Sequence, residues 1–143
     1  MVRVKQLLGR KGPDVWSVDA DVPVLEAIQM MAERRVGALP VTRGDGELVG
    51  VISERDYARK VILLGRSSAE TPVWQIMSSP VVTVTPEHGV RQCMQIMTEK
   101  RIRHLPVVQG GRMVGVISIG DLVRTVIEEQ DQTIEHLERF IAG

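Results

Sequence analysis

The sequence predicts an α/β protein built from two β-α-β-β-α repeats, and three observations carry that prediction. Glu33-Arg34-Arg35-Val36-Gly37-Ala38-Leu39-Pro40-Val41 returns as Glu99-Lys100-Arg101-Ile102-Arg103-His104-Leu105-Pro106-Val107. Leu48-Val49-Gly50-Val51-Ile52-Ser53 returns as Met113-Val114-Gly115-Val116-Ile117-Ser118. The spacing between the two blocks differs by one residue, which falls in a turn, where length changes cost little. Ahead of each block, apolar residues recur at helical spacing: Val24, Ala27, Ile28 and Met31 in one copy, Val90, Cys93, Met94 and Met97 in the other. A unit this small buries its apolar face poorly alone, so the two copies are expected to pack together.

In chain order, each copy opens with a short amphipathic stretch, Val4–Leu8 and Val73–Met77. An alternating run follows, Val15-Trp16-Ser17-Val18 and Val81-Val82-Thr83-Val84, and reads as a short strand. The helix comes next and is expected to stop near Glu33 and Glu99, before Leu-Pro-Val opens a second strand. Gly44-Asp45-Gly46 and Gly110-Gly111 supply the positive-φ residues of a hairpin turn. The third strand is Leu48–Ile52 in one copy and Met113–Ile117 in the other, each followed by a helix starting at Ser53 or Ser118. The first of these helices should end near Gly65, with polar Arg66–Thr71 linking the halves. The second should run on toward Phe140, with Ile127, Ile134 and Ile141 spaced by seven. The expected segments are 1–66 (first repeat with an N-terminal segment), 67–127 (linker and second repeat) and 128–143 (a C-terminal helical extension).

Composition narrows the function. Eighteen basic and eighteen acidic side chains cancel, so nothing draws the molecule as a whole to nucleic acid or a membrane surface. A hydrophobic fraction of 43% suffices for a core of Val, Ile, Leu and Met, with Trp16, Tyr57, Trp74 and Phe140 as the aromatics. The single cysteine excludes an internal disulfide and fits a reducing compartment. No apolar run approaches the ~20 residues of a membrane helix and no signal-peptide core opens the chain, so a cytoplasmic location is expected.

The chemistry gathers where the third strand ends, in Gly50-Val51-Ile52-Ser53-Glu54-Arg55-Asp56 and Gly115-Val116-Ile117-Ser118-Ile119-Gly120-Asp121. Serine with an acid three residues on forms a capping box, which by itself simply starts a helix. The free N–H groups and dipole of such an end also attract phosphate. A carboxylate one turn in accepts from two ribose hydroxyls at about 1.5–3 kcal/mol per charge-assisted bond. The two readings coexist, since a cap can yield its hydrogen bond to a ligand. Elsewhere Cys93 reads as core packing, because it takes the place of Ala27 on a helical stripe. His88 and His136 lack metal-ligand spacing. Gly44-x-Gly46-x-x-x-Gly50 misses the dinucleotide fingerprint and lies in a hairpin.

With these segments present in order, twice, at intact spacing, residues 2–127 resemble a tandem pair of cystathionine-β-synthase (CBS) domains, a stand-alone Bateman module. The resemblance implies two repeats related by pseudo-two-fold symmetry and packed through their sheets. It also implies two clefts between the repeats that take adenosine-containing ligands: AMP, ADP, ATP or NAD(H), with S-adenosylmethionine as the alternative. By resemblance, one cleft joins Ser53, Arg55 and Asp56 to Pro80, Val81, Val82, Ile102, Arg103 and His104. The other joins Ile117, Ser118 and Asp121 to Lys11, Val15, Trp16, Val36, Gly37 and Ala38. Apolar residues would sandwich adenine, the aspartates would hold ribose, and serines and basic groups would face phosphate. Arg103-His104 stand where the first copy has Gly37-Ala38, so the Asp56 cleft is expected to be the more cationic.

The expected function is a non-catalytic nucleotide sensor without a catalytic cofactor or metal, acting through its own homodimer or an unidentified target protein. The stripe Leu122, Val126, Ile127, Ile134, Leu137 and Ile141, with Leu7 and Leu8, would support the dimer. No paired carboxylates or nucleophile–base pair argue for an enzyme. A nucleic-acid binder using Arg34, Arg35, Lys100, Arg101 and Arg103 is opposed by net neutrality and scarce aromatics.

Overall fold

The structure, a computed structural model, describes residues 2–12 and 14–142. Its elements run α1 (Val4–Lys11), β1 (Val18–Asp19), α2 (Val24–Arg34), β2 (Ala38–Arg43), β3 (Glu47–Ser53) and α3 (Glu54–Tyr57). A π-helical turn at Ala58–Ile62 and a 3-10 turn at Val73–Gln75 follow. The second half contains α4 (Val90–Lys100), β4 (His104–Gln109), β5 (Arg112–Ser118) and α5 (Ile119–Ala142). The fold is the α/β class with two small sheets that the repeats predict.

The chain forms two compact units, Val15–Val82 and Met1–Asp14 with Thr83–Gly143. In the Val15–Val82 unit, β1, β2 and β3 form a sheet in that order, β1 parallel to β2 and β2 antiparallel to β3. Val18, Ala20, Val24, Ala27, Met31, Leu39, Val41, Ile52, Val61, Val73 and Ile76 form its core. In the other unit β4 and β5 pair antiparallel. Val4, Leu7, Val84, Val90, Cys93, Met97, Leu105, Val107, Ile117 and Leu122 are its buried apolar residues. Burial pushes the Cys93 thiol up to about 11, which suits packing and not nucleophilic chemistry.

Two local outcomes differ from the sequence expectations. The alternating runs make far less strand than expected: only Val18–Asp19 pairs in the first copy, and only Val84, bridged to Val107, in the second. The prolines of Leu-Pro-Val explain this. Val84 N–H donates to the Pro106 carbonyl, so that edge of β4 faces the first strand, and Pro106 has no N–H to return. The helices α2 and α4 end one residue later than expected, each stopped by a left-handed arginine, Arg35 at φ 57° and Arg101 at φ 55°.

In the compact units, the leading stretch of each repeat packs with the other copy's sheet. Val24 N–H at the start of α2 donates to the Thr71 carbonyl, and Val90 N–H at the start of α4 donates to the Val2 carbonyl. A Cβ on Gly50 would stand 2.5 Å from Met77 Sδ, and one on Gly115 would stand 2.5 Å from Leu8 Cδ2. These close approaches are what the glycine of each Gly-Val-Ile-Ser segment permits. No helix among the described residues is long and apolar enough to cross a membrane.

Candidate functional site

Each sheet delivers its Ser-x-x-Asp segment to the start of a helix, and both form the expected capping box. Ser53 N–H and Oγ–H donate to Asp56 Oδ2, each at 3.0 Å, and Asp56 N–H donates back to Ser53 Oγ at 3.1 Å. Ser118 N–H donates to Asp121 Oδ2 at 2.9 Å, and Asp121 N–H to Ser118 Oγ at 3.1 Å. The first helical amides are also engaged. Glu54 N–H donates to the Gly37 carbonyl and Ile119 N–H to the Arg103 carbonyl. The Glu54 and Ile119 amides are therefore already paired with backbone carbonyls and are not free for phosphate.

The hairpin register decides which neighbours each aspartate has. Ala38 lies opposite Ser53, and His104 lies opposite Ser118. Arg103 and His104 thus stand beside Ser118 and Asp121 within their own unit. Gly37 and Ala38 likewise stand beside Glu54 and Ser53. The cause is geometric: in an antiparallel hairpin the first residue of one strand faces the last residue of the next. Arg103 and His104 bring basic groups to the Asp121 end.

Lys11, at the last position of α1, completes that cluster. Its Nζ donates to Asp121 Oδ2 and to the Val116 carbonyl, both at 2.7 Å. Neighbouring Arg10 pairs with Glu128 at 2.5 Å, and Arg124 lies 3.6 Å from Asp121 Oδ1. Burial pushes the Asp121 carboxyl up, but the Lys11 hydrogen bond and charge, with the Ser118 contacts, outweigh it and hold it below the usual range. His104 is pushed below its ordinary value by burial first and by Lys11 and Arg103, against the opposing pull of Asp121. Ile117 is buried behind this end.

At the other aspartate, Lys60 lies 3.1 Å from Asp56 Oδ1 and donates to the Ile76 carbonyl at 3.0 Å. Ser78 Oγ–H donates to the same Oδ1 at 3.4 Å. Lys60 is readable from its place one turn after Asp56. Nothing in the sequence marked Ser78. Arg55 and Pro80 are exposed, and Val81 and Val82 are half-buried. Trp16 is half-buried with the Arg34 guanidinium 4.9 Å above its ring, and Val36 and Ile102 close the ends of α2 and α4. An open cleft of about 470 Å³ lined by Lys5, Leu8, Gly9, Pro86 and Val114 does not include Ser118 or Asp121. Among the described residues no cluster of His, Cys, Asp or Glu has the form of a metal site.

Comparison with known proteins gives one consistent family. The model described as "CBS domain" matches residues 4–62 and 73–128. The CBS domain-containing protein CBSX3 of Arabidopsis thaliana, named as mitochondrial, is 43% identical over 136 residues, covering 92% of this chain. The chain spans 66% of that relative's length. A protein with CBS domains from Burkholderia ambifaria MC40-6 is 46% identical, with a TM-score of 0.86 over 90% of this chain and 96% of that one. The CBS domain pair of protein MJ0100, solved with 5′-methylthioadenosine and S-adenosyl-L-methionine, shares the fold at a TM-score of 0.79 and 23% identity, over 90% of this chain and 98% of that one.

Proposed function

The chain belongs to the CBS domain family as a tandem pair, and from that premise we propose that it is a non-catalytic regulatory module for an adenosine-containing ligand. The observation that carries the reading is the duplicated, shielded carboxylate at a strand exit. Asp56 and Asp121 each sit in a serine cap with one lysine ammonium in reach. A carboxylate so placed accepts both hydroxyls of a ribose, and neighbouring cations meet the phosphates. The adenosine compounds bound by MJ0100 support the same ligand class. AMP, ADP, ATP and NAD(H) are the favoured members, and S-adenosylmethionine is the second reading. A homodimer, a cytoplasmic location and a separate target protein complete the proposal.

A thermal-shift panel of AMP, ADP, ATP, NAD, NADH and S-adenosylmethionine tests it. A ligand at ~100 times its dissociation constant stabilises by about 2.7 kcal/mol, a shift of several degrees. Asp56→Ala and Asp121→Ala should each remove one binding event in calorimetry. Because Lys11, Arg103 and His104 gather at Asp121, its loss should cost more for the phosphate-rich ligands. A panel without any shift overturns the reading.

A further inference from the structure

The Asp121 carboxylate already has an occupant. Lys11 Nζ sits 2.7 Å from Oδ2, the oxygen that also receives Ser118 N–H, and the same ammonium is anchored by the Val116 carbonyl at 2.7 Å. Asp121 is mostly shielded, its side chain 13% exposed, while Lys11 is 40% exposed and has a path to solvent. The ion pair joins groups far apart in sequence, at the end of α1 and the first turn of α5. Lys60 differs, since it stands one turn after Asp56 on the same helical segment and not on a separate element.

We infer that Lys11 is an internal competitor for the ribose-binding carboxylate, and that it makes the Asp121 end selective for nucleosides that carry an anion. The inference rests on the proposed role of Asp121 toward ribose. A diol that takes both carboxylate oxygens of Asp121 must displace the ammonium from Oδ2. The freed ammonium then lies beside Arg103 and His104 without its hydrogen bond to the carboxylate. A phosphate on the ligand supplies the missing anion and turns Lys11 from competitor to partner, whereas a neutral nucleoside leaves it unpaired. The Asp56 end, whose lysine stays on its own helix, lacks this discrimination.

The test is Lys11→Met, which keeps the aliphatic stem, titrated with adenosine and with AMP. The amide signals of Ser118 and Asp121 in 15N NMR serve as a reporter of this end alone. Adenosine affinity should rise about three- to tenfold and AMP affinity should fall by a similar factor, a range set by one charge-assisted bond discounted for solvent exposure. Lys11→Gln, which retains a donor for the Val116 carbonyl, should give the same crossed change and serves if the methionine variant fails to fold. Affinities that fall together, or an unchanged adenosine-to-AMP ratio, overturn the competitor role. Asp121→Ala separates the two levels. If it abolishes AMP binding at the reporter while the ratio in Lys11→Met is unchanged, only the competitor idea fails. If it leaves AMP binding intact, the ribose assignment fails and takes the competitor with it.

Discussion

At the scale of single residues, His104 offers a prediction with a definite sign. Its neighbours are Lys11 from α1, Asp121 from α5 and Arg103 beside it, and burial leads the shift of its imidazole below the ordinary value. The folded protein therefore binds fewer protons at this residue than the unfolded chain does. The stability this contributes is complete above the unfolded value of about 6.5 and is lost as pH falls from there through the folded value. In His104→Gln, the fall in Tm on acidification from pH 7.5 to pH 5 should be shallower than in the parent chain. An equal slope would remove His104 from the pH response. Both capping boxes were legible in the sequence, and the neighbours of each within its own unit were not. Ser53, Asp56, Ser118 and Asp121 stand out in the sequence because the motif repeats. The partners depend on strand register, and a hairpin read as antiparallel already requires the residue that opens Leu-Pro-Val to face the serine that ends Gly-Val-Ile-Ser. Lys11 was picked out only through the family resemblance, since nothing within one repeat shows that α1 reaches the aspartate of the other.

At the scale of elements, the paired glycines rank two substitutions. A Cβ at Gly50 would meet Met77 Sδ at 2.5 Å, Met77 Cγ at 2.9 Å and the Ser78 carbonyl at 3.1 Å, so side chain and backbone must both give. A Cβ at Gly115 would press only on Leu8, and chiefly on its terminal Cδ2, which has freedom to turn away. Gly50→Ala should cost about 1–3 kcal/mol, the range of core overpacking, and Gly115→Ala clearly less. Urea unfolding midpoints check the order, and a reversal would mean that α1 is the more rigid of the two leading segments. The same elements show what the pattern could deliver. Helical spacing found α2 and α4, and the glycine pairs found both turns, because each signal is local. The extent of the first strands was not local: it depends on which edge of Leu-Pro-Val faces them and on the donor that proline lacks.

At the scale of the whole molecule, the final helix separates into a part that belongs to the core and a part that has no cover in a single chain. Leu122 and Thr125 are buried, whereas Ile127, Ile134, Leu137, Phe140 and Ile141 are exposed by half or more. The stripe expected from sequence is thus two features, a packing turn near Ser118 and a free apolar face beyond it. Ile127, Ile134 and Ile141 recur at the seven-residue interval of a helix seam, with Leu137 in the d position between the last two. Glu128, Glu129, Asp131, Glu135 and Glu138 lie among them and keep the rest of that helix polar. Side chains of this size left in water forgo about 1.5–3 kcal/mol each on burial, enough in sum to drive association. Ile134→Glu combined with Leu137→Glu should therefore lower the mass seen by light scattering toward 15.9 kDa, the mass of one chain. Because α5 begins beside Ser118 and Asp121, the helix that carries this face also carries one proposed ligand end. A ligand shifts the assembly only by its difference in affinity for the two states. AMP should then change the mass distribution of the parent chain and not that of the double variant. A monomeric parent, or a double variant of unchanged mass, would leave the α5 face without a role in assembly.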